Sequence, residues 1–140
     1  MNQYTQQKFV GERALFQSRD LELSYCTFAD GESPLKESKN LKIENCLFQW
    51  KYPLWYCRNV EVKHSTMFEM ARAGIWYTDH ISMEDITYQA PKGFRRCKDV
   101  VLKDINFPNA AETLWNCSQV KMQNVTAKGD YFAMGSSDME

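Results

Sequence analysis

The sequence predicts an all-β fold, a single-stranded right-handed parallel β-helix of about six coils of roughly 20 residues each. Three observations predict this class. A short motif recurs along the chain, apolar and polar residues alternate within each copy, and no stretch has the period of about 3.6 residues that is typical of a helix. The whole chain, residues 1–140, is expected to form one domain.

The repeat is carried by six segments that align without gaps: SRDLELSYCTF, SKNLKIENCLF, CRNVEVKHSTM, TDHISMEDITY, CKDVVLKDINF and CSQVKMQNVTA. Their first aliphatic residues follow one another at steps of 20, 19, 21, 19 and 20 residues. Stacked coils bury the apolar face that no single coil can bury alone, and parallel crossovers are strongly right-handed. Residues 1–17 are predicted to be an N-terminal cap with a first partial coil, and 18–136 the repeated coils.

A polar column between the two apolar pairs of each copy predicts a bend in the chain. Its members are Asn45, His64, Asp85, Asp104 and Asn124, with Tyr25 as the exception. Asn and Asp suit a bend because they tolerate unusual backbone angles and bond to nearby amides.

A leucine-rich repeat is the alternative fold, because its period overlaps with this one. That motif places Asn or Cys three residues after its third Leu, whereas Asn45 lies two residues after Ile43. The second half of each copy, rich in Trp, Tyr, Thr and Cys, also favours a strand over a helix.

Composition excludes several classes of function. Basic and acidic residues nearly balance, 17 against 18, so we expect neither nucleic acid nor an anionic membrane as a partner. No apolar run reaches the length of a membrane span, and the N-terminus lacks the apolar core of a signal peptide, which predicts a cytoplasmic protein. The spacing of the five Cys residues is not that of a zinc site, and no metal or cofactor is predicted.

Two pairs of cysteines share columns of the repeat, Cys26 with Cys46 and Cys97 with Cys117. They are either redox pairs or small apolar residues that fill a stacked interior, and the second interpretation suits a column shared with Ser, Thr, Ile and Val. Reduced thiols are expected.

Each histidine is predicted to lie one coil from an aspartate. His64 aligns with Asp85, and His80 with Asp99. The pairs suggest either a base oriented by a carboxylate or a polar ladder at a bend. No nucleophile occupies a matching position, and no catalytic residue is predicted.

The second half of each copy predicts a candidate binding strip. One column contains Phe16, Lys36, Trp55, Trp76, Arg95 and Trp115, and the next contains Gln17, Glu37, Tyr56, Tyr77, Arg96 and Asn116. Either this strip binds a saccharide or protein partner, or its aromatic ladder only stiffens the sheet. The predicted ligand-binding residues are Trp55, Tyr56, Arg72, Trp76, Tyr77, Arg95, Arg96 and Trp115.

Several longer segments resemble the bacterial proteins grouped as domain-of-unknown-function family 3737: GERALFQSRDLELSYCTFADGESPLKES, WKYPLWYC, FEMARAGIWYT, PNAAETLWNC and AKGDYFAMGSS. The resemblance covers nearly the whole chain and implies a pectate-lyase-like β-helix with no established activity. It also implies that this chain corresponds to the N-terminal half of a typical member. We therefore expect an uncapped last coil near Met139 and a homodimer formed through it.

Two hypotheses of function follow. The first is a non-enzymatic binding or scaffold protein that uses the strip. The second is a carbohydrate-active enzyme, a lyase or hydrolase, which requires an acidic pair or a calcium site near the strip. Glu84, Asp85 and Asp104 lie on adjacent coils, but they are not expected to converge with an Arg.

Overall fold

The computed structural model describes residues 2–140. Eight strands, one from each successive pass of the chain, form a continuous parallel ladder in the order β1-β3-β5-β8-β10-β12-β13-β14. Their bounds are β1 Asn2–Thr5, β3 Arg19–Ser24, β5 Lys39–Glu44, β8 Arg58–Met67, β10 Asp79–Tyr88, β12 Lys98–Phe107, β13 Ser118–Ala127 and β14 Ser137–Met139. The predicted parallel β-helix is confirmed, with about seven turns.

Six two-residue strands complete the coils. Three of them extend the main sheet: β2 Lys8–Phe9, β4 Thr27–Phe28 and β6 Leu47–Phe48. The other three form a separate parallel sheet: β7 Leu54–Trp55, β9 Ile75–Trp76 and β11 Phe94–Arg95. Neighbouring strands lie about 4.8 Å apart, so equivalent residues of successive coils stack into columns along the axis.

Every coil turns at four corners, where residues other than glycine adopt positive φ. The predicted polar bend is one of them: from Gln6 to Asn124 its members have φ between 51° and 56°, and Tyr25 adopts 54° like the rest. A second corner contains Tyr52, Ala73 and Lys92. The remaining two corners lie close together. The third corner contains Gln17, Glu37, Tyr56, Tyr77, Arg96 and Asn116. The fourth contains Asp20, Asn40, Asn59, His80, Asp99 and Gln119.

Inward columns form one continuous core along the axis. Phe28 and Phe48 stack at 5.0 Å with nearly parallel rings, and the column continues into fully buried Met67 and Tyr88. The alternation in the sequence therefore sets the direction of each side chain, since successive residues of a strand point to opposite faces.

The outward residues of the long strands form a second feature, which we call the charged sheet face. In the first of its two columns Glu22, Lys42 and Glu61 are partners in register, followed by Ser82, Val101 and Lys121. The second column contains Ser24, Glu44, Lys63, Glu84, Lys103 and Gln123. Glu and Lys alternate along each column, and Lys63–Glu61 and Lys103–Glu84 form ion pairs at 3.4 and 3.5 Å.

The last coil is partly covered by the segment that follows it. β14 pairs with the first part of β13, and Val120 lies opposite Met139 and is fully buried. Met122 and Val125, further along the strand, remain partly exposed beside Phe132. Association of two chains through this end stays a prediction. Within residues 2–140, no helix is long and apolar enough to cross a membrane.

Candidate functional site

Three outward columns meet around the two closely spaced corners and form what we call the aromatic–basic face. The first is the outward column of the β7–β9–β11 sheet, which includes Trp55, Trp76 and Arg95. The second is the corner that follows this sheet, which includes Tyr56, Tyr77 and Arg96. The third is the position just before the next corner, which includes Arg19, Lys39 and Arg58. The cations of this face are Arg19, Lys36, Lys39, Arg58, Arg95, Arg96 and Lys98, and its acids are Glu37 and Asp79. Its main aromatic members are Trp55, Tyr56, Trp76, Tyr77 and Trp115.

The first column is a continuous stack of planar groups. The rings of Trp55 and Trp76 lie 5.0 Å apart and are tilted by only 4°. The Arg95 guanidinium carbon lies 4.2 Å from the centre of the Trp76 ring and 5.0 Å from that of Trp115. Arg95 therefore takes the place of an indole, with a cation–π contact on each side.

Backbone carbonyls of the next coil orient the three indoles. The Trp76 Nε1–H donates a hydrogen bond to the Lys92 carbonyl at 3.0 Å. Trp55 and Trp115 donate in the same way to the carbonyls of Ala73 and Tyr131. The guanidinium of Arg95 does not reproduce this bond, because its Nε is buried without a hydrogen-bond partner within the described chain. The ring faces of the column are thus turned toward one another, and mainly ring edges meet solvent.

The corner column presents the exposed tyrosines. Tyr56 and Tyr77 stack at 4.9 Å with rings tilted by 3°, and Lys36 Nζ lies 5.9 Å from the centre of the Tyr56 ring. Tyr77 is 39% exposed and Tyr56 is 51% exposed. Their backbones have φ of 55° and 56°, so the pair projects from a left-handed corner and does not lie on a flat strand.

The third column is basic and was not among the predicted site residues. Arg19, Lys39 and Arg58 are direct register partners on consecutive strands, and all three are exposed. The column continues with Asp79 and Lys98. The segments SRD, SKN and CRN already contained this signal, since each places a cation two residues before the first buried aliphatic position of a strand.

Seven of the eight predicted site residues lie on this face, and Arg72 does not. Arg72 is exposed and lies on the other side of the corner residue Ala73. The carbonyl of Ala73 nevertheless accepts a hydrogen bond from the Trp55 indole. The sequence places Arg72 near the strip but cannot assign it to a side of the corner.

Both histidine–aspartate contacts form, at two different corners. His64 Nδ1 lies 2.8 Å from Asp85 Oδ2, and His80 Nδ1 lies 2.6 Å from Asp99 Oδ2. The hydrogen bond that His64 donates to the Asp85 carboxylate raises the pKa of His64. Asn side chains continue the ladder in other coils, as in the 2.8 Å bond from Asn59 to Asn40. These contacts fit the predicted polar ladder.

The five cysteines are free thiols and all are buried. Burial raises the pKa of Cys46 to about 11 and that of Cys57 to about 12, so neither thiol is a thiolate near neutral pH. Cys57 Sγ donates a hydrogen bond to the Leu35 carbonyl at 3.1 Å. The environment of the cysteines is that of small interior side chains, which is the second of the two interpretations given above.

Carboxylates do not converge on the arginines of the face. Among residues 2–140, neither Arg95 nor Arg96 forms an ion pair within 4 Å, and no group of three or more His, Cys, Asp or Glu residues is arranged to hold a metal ion. The acids of the face, Glu37 and Asp79, belong to different coils.

Comparison with known proteins identifies a family but no activity. The profile of the family described as "Protein of unknown function (DUF3737)" matches residues 2–140. No curated protein matches the chain. Two solved structures that match the chain are trypsin-treated variants of QnrB1, a plasmid-mediated fluoroquinolone resistance protein.

One of these structures has 10% identity and a TM-score of 0.32, covering 99% of this chain and 90% of that chain. The other has 8% identity and a TM-score of 0.26, covering 99% and 88%. Similarity at this level carries no inference about function.

Proposed function

The chain belongs to the DUF3737 family, which supplies no activity to carry over, and we propose from its surface that it is a non-enzymatic binding or scaffold protein that holds a partner on the aromatic–basic face. The observation that carries the proposal is the coincidence, on one side of the solenoid, of exposed stacked tyrosines and of cations that have no ion-pair partner among residues 2–140. Trp, Tyr and Arg are the residues most enriched at the energetic centres of protein interfaces.

The rigid scaffold supports this function. Each coil contributes one residue to each column at a fixed spacing, and hydrogen bonds from indole to carbonyl orient the tryptophans. A partner that binds here meets tryptophans that are already ordered, which lowers the entropic cost of association.

The same geometry favours a protein over a neutral saccharide. Sugars stack on open aromatic ring faces, but the faces of Trp55 and Trp76 are covered by each other and by Arg95. Ring edges, tyrosine hydroxyls and charged groups remain accessible, and they suit the mixed contacts of a protein interface.

Site-specific photo-crosslinking in the host cell tests the proposal. A benzophenone amino acid replaces Tyr77 on the aromatic–basic face or, as a matched control, Val101 on the charged sheet face. Both positions are 39% exposed, so they offer equal access to the photoreactive group. We expect a discrete protein adduct from position 77 and none from position 101. No adduct from position 77, or equal adducts from both positions, would contradict a specific binding surface.

A further inference from the structure

We infer that the partner segment that occupies the aromatic–basic face is acidic. This inference rests on the proposed function and specifies the chemistry of the partner. The three columns of the face gather seven cations against two carboxylates, Glu37 and Asp79, and the adjoining corner adds Asp20 and Asp99, so cations still outnumber carboxylates seven to four in a chain whose formal net charge is −1. The near-neutral total therefore conceals a positive surface, and a segment rich in Asp and Glu is its electrostatic complement.

None of these seven cations has an ion-pair partner within residues 2–140. The five ion pairs of the described chain lie elsewhere: Lys63–Glu61, His64–Asp85, His80–Asp99, Lys92–Glu112 and Lys103–Glu84. Arg19 Nη1 instead donates to the carbonyls of Ser18 and Glu37 at 3.0 and 2.8 Å, which fixes the guanidinium but leaves its charge unbalanced. The charges remain available for an external anion.

The basic column also opposes the stability of the fold. Arg19, Lys39 and Arg58 are consecutive register partners about 4.8 Å apart, and like charges placed directly opposite each other on parallel strands destabilise a sheet. The coil does not require cations at this position, because the same column has Asp79 and Ser118 in other coils. An acidic partner would relieve the repulsion that the free protein carries.

The aromatic members distinguish an acidic protein segment from other anionic polymers. Single-stranded nucleic acids are held by bases stacked on open aromatic faces. Here Trp76 is covered on both sides, by Trp55 and by Arg95, and Tyr56 is covered by Tyr77. Tyrosine hydroxyls and ring edges beside arginines are instead the usual contacts at the centre of a protein interface.

Binding of labelled oligo-glutamate tests the inference, with oligo-glutamine of equal length as the neutral control. Fluorescence anisotropy with the full chain is expected to show binding of oligo-glutamate only, with an affinity that falls as salt rises because exposed charges are screened. A double variant, Lys39→Glu with Arg58→Glu, is expected to weaken this binding at least about tenfold. The matched reversal Lys42→Glu on the charged sheet face is expected to leave it within about twofold.

Further arms of the experiment decide between occupants. Equal binding of oligo-glutamine, equal loss in Lys42→Glu, or tighter binding of polygalacturonate or of a single-stranded oligonucleotide would overturn the inference. Circular dichroism of each variant checks that the β-helix is intact, and Lys39→Gln, which removes a charge without reversing it, should give an intermediate affinity. A photo-crosslinked protein at position 77 that lacks an acidic segment would refute the acidic chemistry while leaving the binding function standing.

Discussion

Two faces of the same solenoid use the same charged residue types in opposite ways. On the charged sheet face four glutamates and four lysines alternate along two columns, and two ion pairs form there, Lys103–Glu84 between coils and Lys63–Glu61 within one strand. On the aromatic–basic face the positions of one column that precede Asp79 are all cations: Arg19, Lys39 and Arg58. The spacing between coils is the same on both faces, so the difference lies in which residues occupy the outward positions.

The comparison shows which of the two surfaces balances its own charges. Alternating charges contribute a little stability and leave no net field, whereas a run of one sign costs stability and creates a field that reaches solvent. In a repeat protein both patterns are equally easy to build, because every coil offers the same outward positions. A surface that opposes folding is therefore a reasonable candidate for binding.

The largest effect is expected within the aromatic–basic face, where Arg95 belongs to the part that stabilises the fold. Arg95→Ala removes two cation–π contacts and leaves Trp76 and Trp115 separated by two coil spacings. We expect the free energy of unfolding to fall by about 2 kcal/mol. Arg95→Trp should preserve the stack and lose much less, because an indole takes the orientation of its neighbours. Urea denaturation followed by circular dichroism measures both, and equal losses would contradict the role of the stack.

A smaller effect separates the two faces directly. Lys39→Glu places a carboxylate between Arg19 and Arg58 and should stabilise the protein by about 0.5 kcal/mol. Lys42→Glu places one between Glu22 and Glu61 and should destabilise it by about the same amount. Thermal unfolding at low ionic strength measures the two shifts, and both should shrink in high salt. Shifts of the same sign would mean that the two faces do not differ as described.

The smallest effect concerns His64, at the corner that borders the charged sheet face. Asp85→Asn is expected to lower the pKa of His64 toward its ordinary value, because the hydrogen bond that His64 donates to the Asp85 carboxylate raises it. The pair therefore adds stability below about pH 6.5, and this contribution is lost as pH rises through the folded-state pKa. A titration of the variant and of the unsubstituted protein by nuclear magnetic resonance measures the shift. An unchanged pKa of His64 in the variant would contradict the assigned cause.

The repeat columns made most of the fold predictable. Inward positions such as Leu54 and Val60 followed from alternation, and the bend at Asn45 and Asp85 followed from residue type. The bend at Tyr56 and Tyr77 did not, because tyrosine gives no signal for positive φ and takes it here only through the geometry of the stacked coils.

The candidate site was only partly predictable. Trp55, Trp76 and Trp115 were recognised as one column, but the covering of their ring faces depends on bonds to carbonyls that no local pattern encodes. The net charge gives no sign of the basic column, because it is a sum over the whole chain and conceals a local excess. The alignment itself contained it, with Arg19 and Lys39 at equivalent positions.

Competition against the photo-crosslink at position 77 tests most directly whether an acidic partner occupies the aromatic–basic face. Oligo-glutamate is added in excess before irradiation, with oligo-glutamine as the control. We predict that oligo-glutamate abolishes the protein adduct while oligo-glutamine leaves it unchanged. An adduct that persists undiminished with excess oligo-glutamate would contradict the central claim.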